Sequence, residues 1–472
     1  MNARSPQLRD VRATPSQLRA LAALNPALFP ALFDSTAVGP LGRYSILAGS
    51  PGASLLLRGD GRLESKGVQL RSPDFLGALD EWWLTQRPNA QPQDQGADAG
   101  LHLPFRGGWI IYLGYELAGH IEQGLRIPAL PADMVCALAL RVPEALVYDH
   151  LEARCQLVTE GDGADSAARI EAALAALPAT DIADSAHSRG RVRAAQPLSV
   201  IEQPGDQYRD MVLRAQDYIA SGDVYQANLS RGWRVQYAEN PAAGALFESL
   251  RRANPAPFAV HATFPGFTLL SSSPERLVSV RGRRVETRPI AGTRARHGAP
   301  GSDAAEKQEL LANAKERAEH VMLIDLERND LGRICHAGTV EVNEFMVTES
   351  YPHLHHIVSN VRGVLRDDVT PGATLRAVFP GGTITGCPKY RCMQIIGELE
   401  REPRGAYTGS VGYLNTDGDL DFNILIRTAT LAGATLRFRA GAGIVADSDW
   451  QRELAETRTK AEGLLRAFGA RA

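Results

Sequence analysis

Apolar and polar positions in the second half of the chain follow the two periods of regular secondary structure. Short apolar runs bounded by turn residues predict strands over residues 224–233 and 258–271 and an antiparallel meander over residues 407–440. Apolar positions at helical spacing predict helices over residues 206–221, 303–332 and 449–468. Antiparallel strands with segregated helices are typical of an α+β fold.

The first half is less regular and ends in a stretch with the composition of a linker. Short apolar runs alternate with turns, and a polar loop over residues 86–100 interrupts them. Residues 164–177 predict a helix rich in Ala and Leu, and residues 178–205 are rich in Ser, Gly, Arg and Pro. We therefore expect an N-terminal region over residues 1–177, a linker over residues 178–205 and a second region over residues 206–472.

Composition narrows the class of protein. The 472 residues carry 51 Lys and Arg against 54 Asp and Glu, a net charge of −3, and 44% of them are hydrophobic. This balance argues against a nucleic-acid-binding protein and against a disordered one. The five cysteines form no CxxC pair, and the sequence shows neither a membrane-spanning stretch nor a signal peptide. We expect a soluble, cytoplasmic protein of enzyme size.

Two pairs of glutamates are candidate metal ligands. Glu316 and Glu319 lie three residues apart on one predicted helix, and Glu453 and Glu456 have the same spacing on the last helix. Residues three apart share a helix face, so two such faces across a cleft would offer four carboxylates. Mg²⁺ suits this arrangement, because it takes one or two protein carboxylates, water and the oxygens of an anionic substrate. Solvated acidic helix faces are the alternative.

Two glycine-rich segments are candidate anion sites. In residues 379–389, FPGGTITGCPK, Gly381 and Gly386 have the spacing of a nucleotide P-loop, but Cys-Pro replaces the Lys-Ser/Thr that must follow. A nucleotide-binding protein that uses residues 381–389 is therefore the weaker alternative. Gly441 and Gly443 would let backbone amides approach a small carboxylate, or would form a plain turn.

Histidines and nucleophile motifs limit the chemistry further. His353, His355 and His356 form a cluster, but no further His or Cys pair completes a metal site, so a single catalytic histidine is more plausible. The chain has neither a GxSxG nor a GxCxG nucleophile elbow. It therefore contains no recognisable glutaminase nucleophile.

Six motifs follow one another in the second half of the chain. They are SPER (273–276), RPIAGTR (288–294), EHVMLIDLERNDLGR (319–333), ESYPHLHHIVS (349–359), FPGGTITGCPKYRCM (379–393) and GAGIVADSD (441–449). In this order they resemble the chorismate-utilising enzymes of the anthranilate synthase and aminodeoxychorismate synthase component I family. The resemblance implies a two-sheet antiparallel β-sandwich flanked by helices, with chorismate and Mg²⁺ in a cleft of the second half.

The resemblance also implies a metal site and a proton donor. Glu316 and Glu453 would ligate Mg²⁺, and Glu319 and Glu456 would order its waters. Glu275 would be the general acid that protonates the departing ring 4-hydroxyl, which requires a pKa raised toward neutrality.

Other residues would contact the substrate or its protons. His356 would handle protons near the enolpyruvyl end or position the ring. Arg427 and Tyr407 would hold the enolpyruvyl carboxylate, a task suited to a guanidinium. The rest of the implied pocket consists of Gly292, Thr293, Thr383, Gly441, Gly443 and Lys460, the last three around the ring carboxylate.

Gln226 and Ala291 bear on which reaction the family resemblance implies. Isochorismate and salicylate synthases have a water-activating lysine at the position of Gln226, and the neutral glutamine implies ammonia as the nucleophile instead. Many aminodeoxychorismate synthases read PIKGT, with a lysine thought to form a covalent intermediate. This chain reads PIAGT over residues 289–293, as anthranilate synthases do, and alanine cannot be a nucleophile. Three other signatures, YQANLSR, SPER and YPHLHH, favour aminodeoxychorismate synthase.

We therefore expect an aminodeoxychorismate synthase component I that works without a lysine adduct, in para-aminobenzoate and folate biosynthesis. Anthranilate synthase component I, which releases anthranilate and pyruvate, is the alternative. A separate glutamine amidotransferase subunit is the expected source of ammonia, because free ammonia is scarce near neutral pH. The segment Leu32-Phe33-Asp34-Ser35 stands where the family often has a tryptophan pocket, and both tryptophan binding and a purely structural role remain open.

Overall fold

The computed structural model describes residues 6–37, 41–87, 103–160, 164–177, 196–295, 314–350 and 354–470. Within these ranges the side chains of residues 164, 291, 293–295, 314–316, 350, 354 and 355 are not described. No helix among the described residues is long and apolar enough to cross a membrane.

Helices and strands alternate irregularly along the described chain. The helices are α1 (Pro15–Leu24), α2 (Phe75–Gln86), α3 (Ala118–Ile121), α4 (Ala164–Ala175), α5 (Gly205–Ala220), α6 (Ala243–Ala253), α7 (Ala314–Gly332), α8 (Pro371–Val378), α9 (Lys389–Glu400) and α10 (Trp450–Ala467). The first strands are β1 (Gln7–Val11), β2 (Ala31–Asp34), β3 (Tyr44–Gly49), β4 (Ser54–Arg58), β5 (Leu63–Lys66), β6 (Gly108–Leu113), β7 (Val135–Val142), β8 (Glu144–Asp149), β9 (Arg154–Thr159), β10 (Pro197–Glu202), β11 (Gln226–Tyr237) and β12 (Phe258–Phe264). The remaining strands are β13 (Phe267–Ser273), β14 (Arg276–Arg281), β15 (Arg284–Arg288), β16 (Ile290–Ala295), β17 (Glu341–Ser350), β18 (Leu354–Val364), β19 (Gly386–Cys387), β20 (Ser410–Asn415), β21 (Leu420–Asn423), β22 (Thr428–Ala432) and β23 (Thr435–Ile444).

Two antiparallel sheets hold these strands. The first has the order β1-β9-β8-β3-β2-β12-β13-β22-β23-β11-β10, and β19 also pairs with β11. The second has the order β16-β18-β15-β14-β21-β20-β6-β7-β4-β5, and β17 also pairs with β18. The predicted α+β class with two large antiparallel sheets is confirmed.

Strand β6 shows why several strands are apolar without interruption. Its side chains alternate between two cores, because successive residues of a strand point to opposite faces. Trp109 and Ile111 join a core with helix α2, where the rings of Trp82 and Trp109 meet edge to face at 5.5 Å. Ile110 and Tyr112 join the core between the two sheets. The layers are therefore helices, sheet, sheet and helices.

Helices on the other side of the first sheet support the strands that carry the candidate site. Helices α1, α4, α6 and α10 pack on this sheet through a core that includes Phe247 and Leu464. Helices α5 and α9 pack on β11 and β23 through a separate cluster that contains Tyr208, Ile395 and Ala442. The ends of β11 and β23 are consequently enclosed by packed helices.

Some predicted elements need correction. The single strand expected over residues 258–271 is the hairpin β12–β13, which turns at Gly266 with φ +89°. The last part of the expected linker is strand β10, which pairs with β11. The long helix is described from Ala314 onward. The start expected for it at residue 303, most of the polar loop and residues 178–195 of the linker lie outside the described residues.

Both sheets combine strands from the two sides of residues 178–205. In the first sheet β2 pairs with β12, and in the second sheet β6 pairs with β20. The boundaries proposed at residues 177 and 206 stay a prediction about the sequence. They do not coincide with a boundary between the two sheets.

Candidate active site

The candidate site is built on the neighbouring strands β11 and β23. Asn228 lies opposite Gly443 in this pair, and Ser230 lies opposite Gly441. On its other edge β11 pairs with β19, and the amide of Asn228 donates to the Thr385 carbonyl oxygen at 2.9 Å. The glycine-rich segment 379–389 is thereby held next to the two glycines of β23.

Gly441 and Gly443 leave room for polar side chains. A Cβ atom on Gly443 would lie 2.2 Å from Gln226 Nε2. A Cβ atom on Gly441 would lie 2.7 Å from Tyr407 Oη and 2.9 Å from Asn228 Oδ1. Both glycines lie within β23, so the plain turn considered from the sequence is wrong. They permit close approach of Gln226, Asn228 and Tyr407.

Helix α10 brings a lysine to the same strand. Lys460 Nζ donates to the Gly441 carbonyl oxygen at 3.0 Å and forms an ion pair with Glu456 at 2.7 Å. At the start of the helix, Ser448 Oγ donates to Glu453 Oε1 at 2.8 Å and accepts from the Val445 amide at 3.1 Å. These bonds fix how β23 turns into α10.

Glu275 is a buried carboxyl between β13 and β14. Its residue is 5% exposed, and burial raises its pKa to about 7. The effect of burial on this pKa is opposed by four lowering contributions. They come from the Thr383 hydroxyl, the Ile290 backbone and the positive charges of Arg427 and Lys460. Neither Glu275 Oε1 nor Thr383 Oγ1 has a partner with full hydrogen-bond geometry among the described residues. The site therefore presents a carboxyl that can be protonated near neutral pH.

Arg427 offers a positive charge close to Glu275. Its backbone has φ +51°, and its carbonyl oxygen accepts from the Ser272 amide at 3.1 Å. The guanidinium donates to Asn254 Oδ1 at 3.3 Å and forms no salt bridge with a described carboxylate. Burial lowers its pKa, and the charge of Glu275 opposes this shift. Such a cation can bind an anionic substrate.

Tyr407 rests on a buried charged cluster that the sequence did not reveal. Burial raises the pKa of Tyr407 to about 12, and the Arg404 guanidinium lies 5.5 Å from its ring centre. Arg404 pairs with Glu400 at 2.7 Å and donates to the Asn228 carbonyl oxygen at 2.6 Å. Glu400 also accepts from the Ser230 amide at 2.8 Å. The cluster therefore holds the backbone of β11 in place at Asn228 and Ser230.

The polar residues that β11 contributes to the site could have been found from the sequence. Gln226, Asn228 and Ser230 alternate with the buried Ala227 and Leu229 on β11. Alternation of this kind places the three polar residues on one face of the strand. Asn228 and Ser230 were not among the candidate residues, because either could equally have faced solvent.

The second sheet carries His356. This residue is 2% exposed and lies opposite Glu349 of β17 and Thr293 of β16. Gly292 has φ +70° at a break in the register of β16, which explains why glycine suits that position. The side chains of Ala291, Thr293 and His355 are not described, and His353 lies outside the described residues.

The four predicted metal ligands stay a prediction. Glu319 lies on α7, Glu453 and Glu456 lie on α10, and the side chain of Glu316 is not described. Among the described residues no group of three or more His, Cys, Asp and Glu is arranged to hold a metal ion. The donor chemistry still suits Mg²⁺, because carboxylate oxygens are its preferred protein ligands.

Lys389, at the end of the glycine-rich segment, is already engaged. Its Nζ lies 2.5 Å from Asp330 Oδ2 and donates to the Val378 carbonyl oxygen at 3.3 Å. Burial, together with the charge of Asp330, raises the pKa of the neighbouring Glu327. This lysine, which lies two residues beyond the position that a nucleotide P-loop requires, is thus paired with a buried carboxylate.

The segment Leu32-Phe33-Asp34-Ser35 is largely strand β2. Asp34 is 3% exposed and accepts from Ser45 Oγ at 3.0 Å, and Arg251 lies 3.5 Å from its other oxygen. Ser35 Oγ donates to the Tyr44 carbonyl oxygen at 2.7 Å. These contacts give the segment a structural role, and tryptophan binding there stays a prediction.

The sequence and the fold place the chain in a known family. A model of chorismate binding enzymes matches residues 59–466, and the chain belongs to this family. It is therefore a chorismate-utilising enzyme.

Relatives named for two different enzymes are similar to this chain to a comparable degree. Aminodeoxychorismate synthase component 1 of Bacillus subtilis is 38% identical over 438 residues, which cover 90% of this chain and 89% of the relative. An anthranilate synthase component I-like protein of Synechocystis is 42% identical over 432 residues, 91% and 83% of the two chains. The crystal structure of anthranilate synthase component I from Streptococcus pneumoniae matches with a TM-score of 0.75 at 31% identity, covering 90% and 93%. Similarity alone does not discriminate between the two reactions.

Proposed function

We propose that this chain is an aminodeoxychorismate synthase component I, which converts chorismate and ammonia to 4-amino-4-deoxychorismate. The neutral amide of Gln226 packed on Gly443 and the buried acid Glu275 support ammonia as the nucleophile. The observation that favours this reaction over anthranilate formation is the set of three sequence signatures YQANLSR, SPER and YPHLHH. A neutral amide cannot deprotonate water, whereas ammonia needs no base to act as a nucleophile. The protonated carboxyl can assist the departure of a hydroxyl group.

The reaction balances without an additional reactant. The nitrogen lone pair forms a C–N bond to ring carbon 4, and the bond from that carbon to the 4-hydroxyl breaks with its electron pair on oxygen. Glu275 gives its proton to that oxygen, which leaves as water. The new ammonium group then returns one proton to the Glu275 carboxylate. The enolpyruvyl group is retained.

The remaining residues bind and orient the substrate. Arg427, which has no described carboxylate partner, would hold one substrate carboxylate with the help of the Tyr407 hydroxyl. Lys460 and the strand at Gly441 and Gly443 would lie near the other carboxylate. We also propose that Glu316 and Glu453, supported by Glu319 and Glu456, would hold Mg²⁺, which would neutralise the charge of that carboxylate when bound.

Anthranilate synthase component I is the second candidate. It is favoured by Ala291, which gives the chain the PIAGT motif, and by the relatives that carry that name. Pyruvate separates the two reactions, because anthranilate formation releases it and the proposed reaction does not.

One incubation separates the candidates. The purified chain is mixed with chorismate, Mg²⁺ and ammonium, and the product is identified by mass spectrometry. We expect an amine that retains the enolpyruvyl group, and no pyruvate. Fluorescent anthranilate with released pyruvate would overturn the proposal in favour of the second candidate. The isosteric variant Glu275→Gln is the matched control and should form product at least about a hundredfold more slowly, because it cannot donate the proton.

A further inference from the structure

A closed ring of hydrogen bonds holds Arg427 at both its backbone and its guanidinium. The Arg427 carbonyl oxygen accepts from the Ser272 amide at 3.1 Å and from Ser272 Oγ at 3.3 Å. Ser272 Oγ accepts from Asn254 Nδ2 at 2.8 Å, and Asn254 Oδ1 accepts from Arg427 Nη1 at 3.3 Å. The side chain of Asn254 therefore connects the two ends of a single arginine.

The chemistry of these groups fixes the direction of every bond in the ring. A guanidinium only donates, so it must face the oxygen of the Asn254 side chain. The amide nitrogen then faces the hydroxyl of Ser272, which is fully buried and has its own hydrogen left for the Arg427 carbonyl oxygen. Each donor in the ring thus meets an acceptor.

The backbone of Arg427 explains why it needs such support. Its φ of +51° lies in the left-handed region, which few residues other than glycine adopt. The pairing of β13 with β22 ends at Ser271 and Thr428, and Arg427 lies just beyond this last pair. A strained conformation persists only where the surroundings hold it, and such conformations are common at ligand-binding sites. The ring supplies this support where the regular ladder stops.

The position of Asn254 at the end of helix α6 does not by itself require these bonds. Asn25 ends helix α1 in a similar backbone conformation, with φ −129° and ψ 55° against φ −147° and ψ 70° for Asn254. In both helices the backbone N–H of the asparagine donates to the carbonyl oxygen four residues earlier, and a proline follows. Asn25 is nevertheless exposed. The bonds of the Asn254 side chain are therefore an addition to the helix end.

The neutral charge of Asn254 matters as much as its position. A carboxylate in its place would bind the guanidinium more tightly, but it would also cancel the positive charge. The asparagine oxygen takes one of the five N–H donors of Arg427 and leaves the charge and the other donors for a ligand. The arrangement therefore orients a cation without neutralising it.

We propose that Asn254 is a positioning residue, whose neutral side chain acts with Ser272 to hold the Arg427 guanidinium in place for a carboxylate of chorismate. The inference rests on the proposed function in so far as Arg427 binds that carboxylate. It does not depend on which product is formed, because both candidate reactions begin with chorismate.

Steady-state consumption of chorismate at saturating ammonium and Mg²⁺ tests this role. Asn254→Leu removes both side-chain bonds at similar volume and should raise the KM for chorismate about tenfold, the worth of one hydrogen bond to a charged group. Asn254→Asp keeps an oxygen for Arg427 but adds a negative charge, and should raise the same KM at least about tenfold. In both variants kcat should change less than about twofold, because the proton donor Glu275 is unaltered.

Asn25 provides the matched control. Asn25→Leu and Asn25→Asp alter the end of another helix and should leave both the KM for chorismate and kcat unchanged. Thermal unfolding separates positioning from folding, because Asn254→Asp replaces a neutral hydrogen bond by an ion pair and should melt within about 3 °C of the wild type. If Asn254→Leu does not fold, Asn254→Asp decides the question.

The outcomes distinguish this inference from the proposed function. An unchanged KM for chorismate in both Asn254 variants would overturn the inference, and so would a lower kcat at unchanged KM. A rise with Asn254→Leu but none with Asn254→Asp would show that any acceptor suffices, which would overturn the role of a neutral one. Anthranilate as the wild-type product would overturn the proposed function alone, because the comparison of KM values still tests Asn254.

Discussion

The side-chain nitrogen of Gln226 occupies the space that a methyl group on Gly443 would need, at 2.2 Å from the position of its Cβ atom. Gly443→Ala should therefore displace the Gln226 amide, which is the movable end of a side chain. We expect a loss of activity of at least about tenfold with a stability change below about 1 kcal/mol, because the backbone need not shift. Activity and urea-induced unfolding measured together test this expectation.

Gly441→Ala provides the contrast. Its methyl group would meet the Leu229 carbonyl oxygen at 2.6 Å, and backbone atoms of a paired strand cannot move aside cheaply. This variant should lose about 1–3 kcal/mol of unfolding free energy as well as activity. Gly463→Ala, which has nothing within 4 Å of the added atom, is the control and should lose neither. Equal destabilisation by Gly443→Ala and Gly441→Ala would contradict the distinction.

Glu275 should make stability depend on pH. Its pKa is about 4.3 in an unfolded chain and about 7 in the folded protein. The folded state binds the proton more tightly, so the stabilisation present below about pH 4 is lost as the pH rises through about 7. Glu275→Gln cannot ionise, and its unfolding free energy should exceed that of the wild type by about 1–3 kcal/mol more at pH 8 than at pH 4. A pH-independent difference in urea unfolding would show that the carboxyl is not perturbed.

Arg427 should govern affinity for chorismate. Arg427→Lys keeps the charge and loses the planar pair of donors, so the KM for chorismate should rise about tenfold or more. The exposed Arg437 of β23 is a matched control, and Arg437→Lys should leave the KM unchanged. If both variants behave alike in steady-state assays, Arg427 does not hold a carboxylate.

Magnesium binding can be measured apart from turnover. Isothermal titration with MgCl₂ in the presence of chorismate should show binding by the wild type and at least about tenfold weaker binding by Glu453→Gln. The exposed Glu462 lies on the same helix, and Glu462→Gln should bind Mg²⁺ normally. Chelation with EDTA should stop the reaction, and Mg²⁺ should restore it. Undiminished binding by Glu453→Gln would remove this residue from the metal site.

Glutamine alone should not support turnover by this chain, because the sequence has no nucleophile elbow of a glutaminase. Ammonium should support it in the same assay, and a glutamine amidotransferase subunit added with glutamine should replace ammonium. Product formation from glutamine by the purified chain would show that it contains a glutaminase site of another kind.

The sequence correctly predicted the elements that can be recognised from the pattern of their own residues. The last helix begins after Asp449, whose side chain accepts from the Arg452 amide as an N-cap does. The meander expected over residues 407–440 is instead two hairpins in different sheets, β20–β21 in the second sheet and β22–β23 in the first. Each hairpin was predictable because its strands and turn alternate over a short distance, whereas the change of sheet between them has no local signal. Glu275 came from a motif resemblance, and its burial supplies the physical reason for a raised pKa.

Contacts between distant parts of the chain could not be predicted. Strand β10 looks like a linker because its exposed residues lack alternation, and only its pairing with β11 makes it a strand. Glu400 and Arg439 are far apart in sequence and meet at 3.2 Å behind the site. Nothing in either local sequence distinguishes such a buried ion pair from two solvated charges.

The interleaving of strands from both ends of the chain has a consequence during synthesis. The Arg106 amide, just before β6, donates to the Asn415 side chain 309 residues later. A growing polypeptide on the ribosome therefore exposes the apolar strands β2 and β6 until their partners β12 and β20 have been made. We expect a nascent chain truncated before β20 to require chaperone protection. Two fragments divided near residue 190 should gain activity only when both are produced together.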